Sequence, residues 1–418
     1  MPFKYKTKPY KHQEEALFKS FARDNYAYFM EMGCGKSKVL IDNMTWLYEN
    51  KHIDTAIIIA PKGVYMNWKN SEIPTHLPDD VPNNVYVWKS GANKSEKIVL
   101  EEGVKTRDKL RILLVNVEAF ATAKVKKYLQ AFIHRSNFLL AVDESTTIKN
   151  IKAKRTKEIL KLGQSAKYKR ILTGSPITQS PMDLYSQCYF LDKDLLGFDS
   201  YWSFQGRYAI IRQTRIGNHS FQQIVGFRNL SELTDKLHRF SYRVTKEQAL
   251  DLPEKIYTTR EVNLTSDQIK HYNSMKDSAV ALLDGGDMVT APEVMTRLLR
   301  LQQLLCGYLV TDDGETVEIA NHRIDAMLDT IEEMDGKVII WSRFRHDIKK
   351  IRKALEKDYG SGTVVTYYGD TSQEDRDKAI DRFQNDEGTK FFVGNAQTAG
   401  RGLTLTAATN VIYYSNDF

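Results

Sequence analysis

Tyr26-Ala27-Tyr28-Phe29-Met30-Glu31-Met32-Gly33-Cys34-Gly35-Lys36-Ser37 reads as three pieces in succession. Tyr26 to Met30 are apolar and aromatic and suit a strand, Gly33 and Gly35 mark a turn, and a helix is expected to begin near Lys36. Backbone N–H groups at such a turn and at a helix N-terminus can cradle phosphates. In that reading Gly33, Cys34 and Gly35 form the cradle, Lys36 holds the β- and γ-phosphates of ATP, and Ser37 ligates Mg²⁺. The first glycine of the general G-x-x-x-x-G-K-[ST] pattern is replaced by Met30. The simplest alternative is a glycine-bearing helix start with an exposed lysine.

A strand–turn–helix of this kind belongs to a parallel α/β sheet, so more buried strands should follow. They do: Ala56 to Ala60, Ile112 to Val115, Phe138 to Val142 and Arg170 to Thr173 are short apolar runs with room for crossover helices between them. The same texture returns at Lys337 to Trp341, Thr363 to Thr366, Lys390 to Val393 and Val411 to Tyr414. The fold class is therefore α/β, with two parallel-sheet lobes. From about Pro181 to Met334 the pattern turns mostly helical and reads as insertions and a connector. The expected division is residues 1–245 for the first lobe, with a helical insertion from about 181, and 246–418 for the connector, a second insertion and the second lobe.

Composition agrees with this size. At 418 residues the chain exceeds one ordinary core. With 42% apolar and 27% charged residues it reads as globular, and no stretch is long and apolar enough for a bilayer. The basic start MPFKYKTKPYKHQ is followed by no apolar segment, so a secretory signal is not expected and the cytoplasm of a bacterium or phage-infected host is. Cys34, Cys188 and Cys306 lack the spacing of a zinc site or disulfide framework and should be reduced thiols. The formal charge of +7 permits a polyanionic partner. Lys149 to Arg155 is a basic cluster that suits either a solvated helix start or nucleic-acid contact.

Phe138-Leu139-Leu140-Ala141-Val142-Asp143-Glu144 is a buried strand ending in two carboxylates, about a hundred residues after the phosphate turn. At the carboxyl end of a parallel strand side chains project into the crevice where nucleotides bind. Asp143 would serve Mg²⁺ and Glu144 would orient and deprotonate the attacking water. Leu172-Thr173-Gly174-Ser175-Pro176 also leaves a strand, and the hydroxyls of Thr173 and Ser175 can sense the γ-phosphate and couple its state to the fold. Gln13 offers a side-chain amide to both edges of adenine. Cys34, beside Lys36 and a helix N-terminus, is expected to have a lowered pKa and to react readily.

With these residues in place the sequence resembles the Swi/Snf-type family of superfamily-two helicase-like ATPases over essentially its whole length. Ala60-Pro61-Lys62-Gly63-Val64-Tyr65-Met66-Asn67-Trp68 looks like the family's "APxxxxxxW" segment, which contacts the DNA backbone. Asp143 to Asn150 resembles the D-E-x-H-x-x-K-N box, with Thr146 where histidine is usual, and Leu172 to Ile177 resembles L-T-G-T-P-I. Tyr242 to Lys246 followed by Leu252 to Lys255 looks like the connector, Val338 to Phe344 like the fourth motif, and Gln397 to Ala408 like the fifth. The sixth motif, Q-x-x-x-R-x-x-R, would begin just beyond Phe418, so the second lobe is expected to be incomplete.

The resemblance implies two RecA-like lobes and ATP between them, with Gly400 and Arg401 approaching from the second. It implies a DNA-dependent ATPase that translocates on double-stranded DNA without sequence preference, as a monomer. Pro61, Lys62, Lys149 and Lys152 are the DNA-contact candidates. The competing readings are a strand-separating helicase and an ATP-gated DNA-binding fragment without turnover.

Overall fold

A computed structural model describes the chain except for residues 1–3, 63, 217–218, 252–253, 285–290, 312, 400–402, 404 and 417–418. Contacts divide the chain into two units, Met1–Glu254 and Lys255–Phe418. Among the described residues no helix is long and apolar enough to cross a membrane.

The first unit is built on seven strands: β1 (Asn25–Met30), β2 (Thr55–Ala60), β3 (Asn83–Val87), β4 (Leu110–Asn116), β5 (Phe138–Asp143), β6 (Tyr168–Leu172) and, after a two-stranded excursion of β7 (Ala209–Ile216) and β8 (His219–Phe227), β9 (Ser241–Val244). Their order is β3-β4-β2-β5-β6-β1-β9, and every pairing is parallel. Alternate residues feed two cores: Ala27, Phe29, Ile57, Ile59, Leu140 and Val142 on one face, and Tyr26, Tyr28, Met30, Ile58, Leu139 and Ala141 on the other. Burial on both faces is why these strands read as unbroken apolar runs.

Two arginines sit inside this sheet. Arg170 in β6 is fully buried and donates to Asn43 Oδ1 (3.0 Å) and to the carbonyls of Ser20 (3.0 Å), Arg23 (2.7 Å) and Asp24 (2.9 Å). A buried charge is tolerated only when its donors are occupied. Arg170 thereby fixes the C-terminal end of helix α1 (Lys11–Ser20) to the sheet. Arg111 in β4 is equally buried and donates to the carbonyls of Gly103 (3.1 Å) and Phe132 (3.0 Å).

The second unit carries β10 (Tyr308–Val310), β11 (Thr316–Glu318), β12 (Lys337–Trp341), β13 (Val364–Tyr367), β14 (Phe391–Gly394) and β15 (Ala408–Tyr413). The last four form a parallel sheet of order β13-β14-β12-β15. Helices Arg345–Tyr359 and Arg323–Glu332 cover one face through Ile348, Ile351, Leu355, Met327 and Ile331, and Phe383 and Ala379 cover the other.

The stretch from about 181 to 334 is mostly helical, as expected, with helices such as Leu184–Leu191, Leu230–His238 and Ser266–Asp284, but it also holds two antiparallel hairpins, β7–β8 and β10–β11. The first is rich in β-branched residues (Ile210, Ile211, Thr214, Ile216, Ile224, Val225), which favour strands. The connector-like segment at Tyr242 is also a strand: β9 pairs with β1, Ala27 facing Ser241 and Met30 facing Val244.

Candidate nucleotide site

Strands β5, β6 and β1 are neighbours, with Asp143 paired to Leu172 and Leu172 to Tyr28. The segments that follow them, Glu144, Thr173 to Ser175 and Glu31 to Gly35, therefore leave one carboxyl edge of the sheet side by side. In open α/β sheets this is where ligands bind.

After β1 the Glu31 N–H donates to the Val244 carbonyl (3.0 Å) and the Cys34 N–H returns to the Glu31 carbonyl (3.1 Å). Gly33 and Gly35 both take left-handed φ values, +86° and +81°, which disfavour any side chain. At Gly35 there is no room for one either, since a Cβ would lie 2.2 Å from Gln13 Nε2. Helix α2 (Lys36–Glu49) starts directly afterwards, as the glycine turn predicts. Lys36 is largely buried and its ammonium points back to the Glu31 carbonyl (3.4 Å).

Gln13 is buried on α1. Its Nε2 donates to the Cys34 carbonyl (3.3 Å) and its Oε1 accepts the Tyr10 N–H (3.0 Å), while His12 Nε2 bonds the same Cys34 carbonyl (2.9 Å). The amide thus braces the phosphate turn, and presenting both of its atoms to an adenine requires exchange of these bonds. Lys246 also approaches: its N–H donates to Glu31 Oε2 (2.9 Å), and its Cε lies 3.2 Å from the Cβ position of Gly33. A second cation besides Lys36 therefore faces the turn.

Asp143 ends β5 and is buried. Its Oδ2 accepts the Trp68 indole N–H (2.9 Å) and its Oδ1 the Glu144 N–H (3.0 Å). Burial pushes its carboxyl above the usual range, against the pull of Trp68, Lys36 and the Glu144 N–H. Trp68 opens a short π-helix, Trp68–Glu72, and Glu72 at its end receives the Asn67 amide (3.2 Å) and bonds the Ser37 hydroxyl. Burial raises Glu72 as well, and Asp143 adds to the rise. One turn of helix thus touches both proposed metal-binding side chains, Asp143 through Trp68 and Ser37 through Glu72. Glu72 was not singled out from the sequence; its position four residues after Trp68, on the same helical face, was the available signal.

Glu144 takes a left-handed conformation (φ +49°), and its Oε2 accepts the Thr173 hydroxyl at 3.4 Å. The Ser175 N–H donates to Thr173 Oγ1 (3.3 Å). The hydroxyl segment and the second carboxylate are therefore joined, with Thr173 the link.

The Cys34 expectation is corrected. The thiol is fully buried, and burial, aided by Glu31, raises its pKa; Lys36 and Lys246 act in the opposite direction without reversing it.

Residues 27–308 match the family model of the SNF2-related domain, and residues 322–418 that of the helicase conserved C-terminal domain. The chain belongs to the SNF2-related family. An uncharacterized ATP-dependent helicase of Mycoplasma genitalium, MG018, is 25% identical over 389 residues, covering 92% of this chain and 34% of the relative. Human ZRANB3, described as a DNA annealing helicase and endonuclease, is 24% identical over 389 residues, covering 92% of this chain and 33% of the relative. The SNF2-related chain thus spans about a third of the length of these curated relatives. The Sulfolobus solfataricus SWI2/SNF2 ATPase core in complex with dsDNA is 24% identical, with a TM-score of 0.48, over 100% of this chain and 84% of that one.

The donor set at this SNF2-related site suits a hard cation shared with phosphate. Mg²⁺ favours one or two protein oxygens plus substrate phosphates, and Ser37 and Asp143 are oxygen donors that each bond a residue of the Trp68–Glu72 helix. Among the described residues no group of three or more His, Cys, Asp or Glu side chains forms a metal cage. Of the DNA-contact candidates, Pro61 and Lys62 follow β2, with Lys62 exposed. Lys149 bonds the Thr178 hydroxyl and lies 3.6 Å from Asp183, so its charge is partly spent inside the protein. Lys152 lies over the Trp202 ring, 5.5 Å from its centre. Gly400 and Arg401 lie outside the described residues.

Proposed function

We propose that this chain is the motor of a DNA-dependent ATPase that moves along double-stranded DNA, with a first lobe in residues 1–245 and, after a connector and a helical insertion, a second lobe within 246–418, the two closing on MgATP and reopening after hydrolysis. The reading is carried by one observation: the glycine turn, Asp143 and the Glu144–Thr173 pair leave adjacent strands at a single carboxyl edge. Lys36 would bind the phosphates, and Ser37 and Asp143 would hold Mg²⁺. When bound, the ion supplies charge neutralisation at the phosphate oxygens. Glu144 would orient a water and take its proton as the water oxygen bonds the γ-phosphorus and the bond to the ADP oxygen breaks. Thr173, bonded to Glu144, would report that change to the segment that follows.

The choice of duplex DNA rests on the Pro61-to-Trp68 segment, on exposed Lys62 and on Lys152, and gains support from a relative described as a DNA annealing helicase. Contacts to phosphates carry no sequence information, so binding should be sequence-independent and should weaken steeply with salt. The test is steady-state ATP hydrolysis with and without duplex, with Glu144→Gln as the blank. Duplex-stimulated turnover that vanishes in the variant supports the proposal. Triplex displacement without separation of a forked duplex would favour translocation; efficient strand separation would replace the reading with that of a helicase.

A further inference from the structure

The β7–β8 ribbon is not used by the site described above. It pairs eight positions, from Ala209 opposite Phe227 to Ile216 opposite His219, and forms a sheet of its own. At about 3.3 Å per residue it is about 26 Å long. Its root is fixed. Ile224 and Phe227 pack on the first unit's core, Arg228 Nη2 donates to the Gly206 carbonyl (2.6 Å), and Asn229 Nδ2 to the Arg207 carbonyl (3.0 Å).

Beyond the root the character changes. Arg212 pairs with Gln223 and Thr214 with Phe221 on one face; Gln213 pairs with Gln222 and Arg215 with Ser220 on the other. Apart from half-buried Thr214 these side chains are exposed. Neither face is an apolar stripe of the kind that packs a ribbon onto its own domain. Each carries one arginine among neutral side chains, polar but for exposed Phe221, and residues 209–228 include no aspartate or glutamate. A two-stranded ribbon of this build fits a groove of duplex DNA in both width and charge.

A second observation ties the ribbon to the basic cluster. Helix α3 (Tyr201–Tyr208) runs straight into β7, and its exposed Trp202 is the ring beneath Lys152. Six residues of helix span about 9 Å, so the ribbon springs from beside the cluster already considered for backbone contact. We propose that the β7–β8 ribbon is a second DNA-contact element, continuous with Lys152, whose Arg212 and Arg215 bind duplex phosphates. The proposal rests on the reading of duplex DNA as the partner.

The experiment compares the full chain with the Arg212→Gln/Arg215→Gln double variant and with Gln222→Glu. Binding to a fluorescein-labelled 30-base-pair duplex is followed by anisotropy across a salt series. Each phosphate contact contributes about 0.9 to the slope of log K against log salt. Loss of both arginines should make that slope shallower by about 1.8 and weaken binding at 0.1 M salt by at least tenfold, and Gln222→Glu should weaken it too. Unchanged slopes and affinities, with the parent binding well, overturn the ribbon proposal and leave the duplex reading intact. No duplex binding by the parent overturns both. A change in the sedimentation of the variants with no change in their DNA affinity would show that the ribbon pairs with a second copy instead, and also overturns the proposal.

Discussion

Replacing Trp68 by Phe keeps a ring in place while removing the only donor that reaches Asp143 from outside its own strand turn among the hydrogen bonds described for it. The bond is 2.9 Å long and buried, with Trp68 1% and Asp143 6% exposed. A hydrogen bond to a charged acceptor contributes about 1.5–3 kcal/mol. The smaller ring adds roughly 1 kcal/mol for a cavity of some 40 Å³. Trp68→Phe should therefore cost the first unit about 2.5–4 kcal/mol, a large share of the ~5–15 kcal/mol that holds a domain together. The hydrogen-bond part is separable. Asp143→Ala breaks the same bond, so in the double variant it is lost only once, and urea unfolding of the four proteins by circular dichroism should give a coupling of about 1.5–3 kcal/mol. Nucleotide binding supplies the functional arm. Affinity for ADP in EDTA should be nearly unchanged in Trp68→Phe, while the gain on adding Mg²⁺ should shrink. A coupling below about 0.5 kcal/mol, or an equal loss with and without Mg²⁺, would refute the idea that Trp68 positions Asp143 for the metal.

Gly35→Ala should abolish binding of a fluorescent ATP analogue, because its φ of +81° costs an L-residue about 1–2 kcal/mol and its Cβ collides with Gln13; Gln13→Ala in the same chain should recover only part of the loss. All three thiols are buried, so a disulfide-exchange reagent should titrate little of the native protein and three groups in guanidinium, and fast native labelling of Cys34 would contradict the structure. Asp347, buried in the second unit, has its pKa raised to about 6 by burial. Its unfolded form ionises near 4, so unfolding releases a proton between about pH 4 and 6 and stability falls as pH rises through that window. Asp347→Asn should remove the loss, gaining up to about 3 kcal/mol on the parent at pH 7 relative to pH 4. An unfolding free-energy difference that does not change with pH would contradict it.

The central strands of the two sheets were legible because strands buried on both faces leave runs that no amphipathic helix imitates, and the turn after β1 because Gly33 and Gly35 stand directly before the helix that Lys36 opens. The ribbon was not legible. Its polar distal half breaks the apolar pattern that marks a strand, and pairing, not burial, makes it one. β9 is hidden for a related reason: an edge strand of four residues carries only Tyr242 and Val244 as a signal, too little to separate it from a connector. At Arg170 the strand was legible but the partners of its guanidinium were not: only the fold brings Ser20, Arg23 and Asp24 close enough to occupy its donors.

The site divides along the same line. Local chemistry was readable, whereas contacts between distant segments were not: Trp68 and Asp143 are 75 positions apart, and nothing in either segment names the other. Cys34 is the instructive failure. Its neighbours in sequence, a lysine and a helix N-terminus, both lower a thiol pKa, and both are present in the structure. The turn that brings them near, however, also folds the thiol into the core formed by Leu40, Met44 and Tyr242. Desolvation then outweighs two cations, because the ammonium groups act on a thiolate that would have to exist without water. The same glycine turn that leads into the helix hides the side chain between its two glycines. A residue there is selected by φ and by packing, so its reactivity cannot be inferred from its charged neighbours alone.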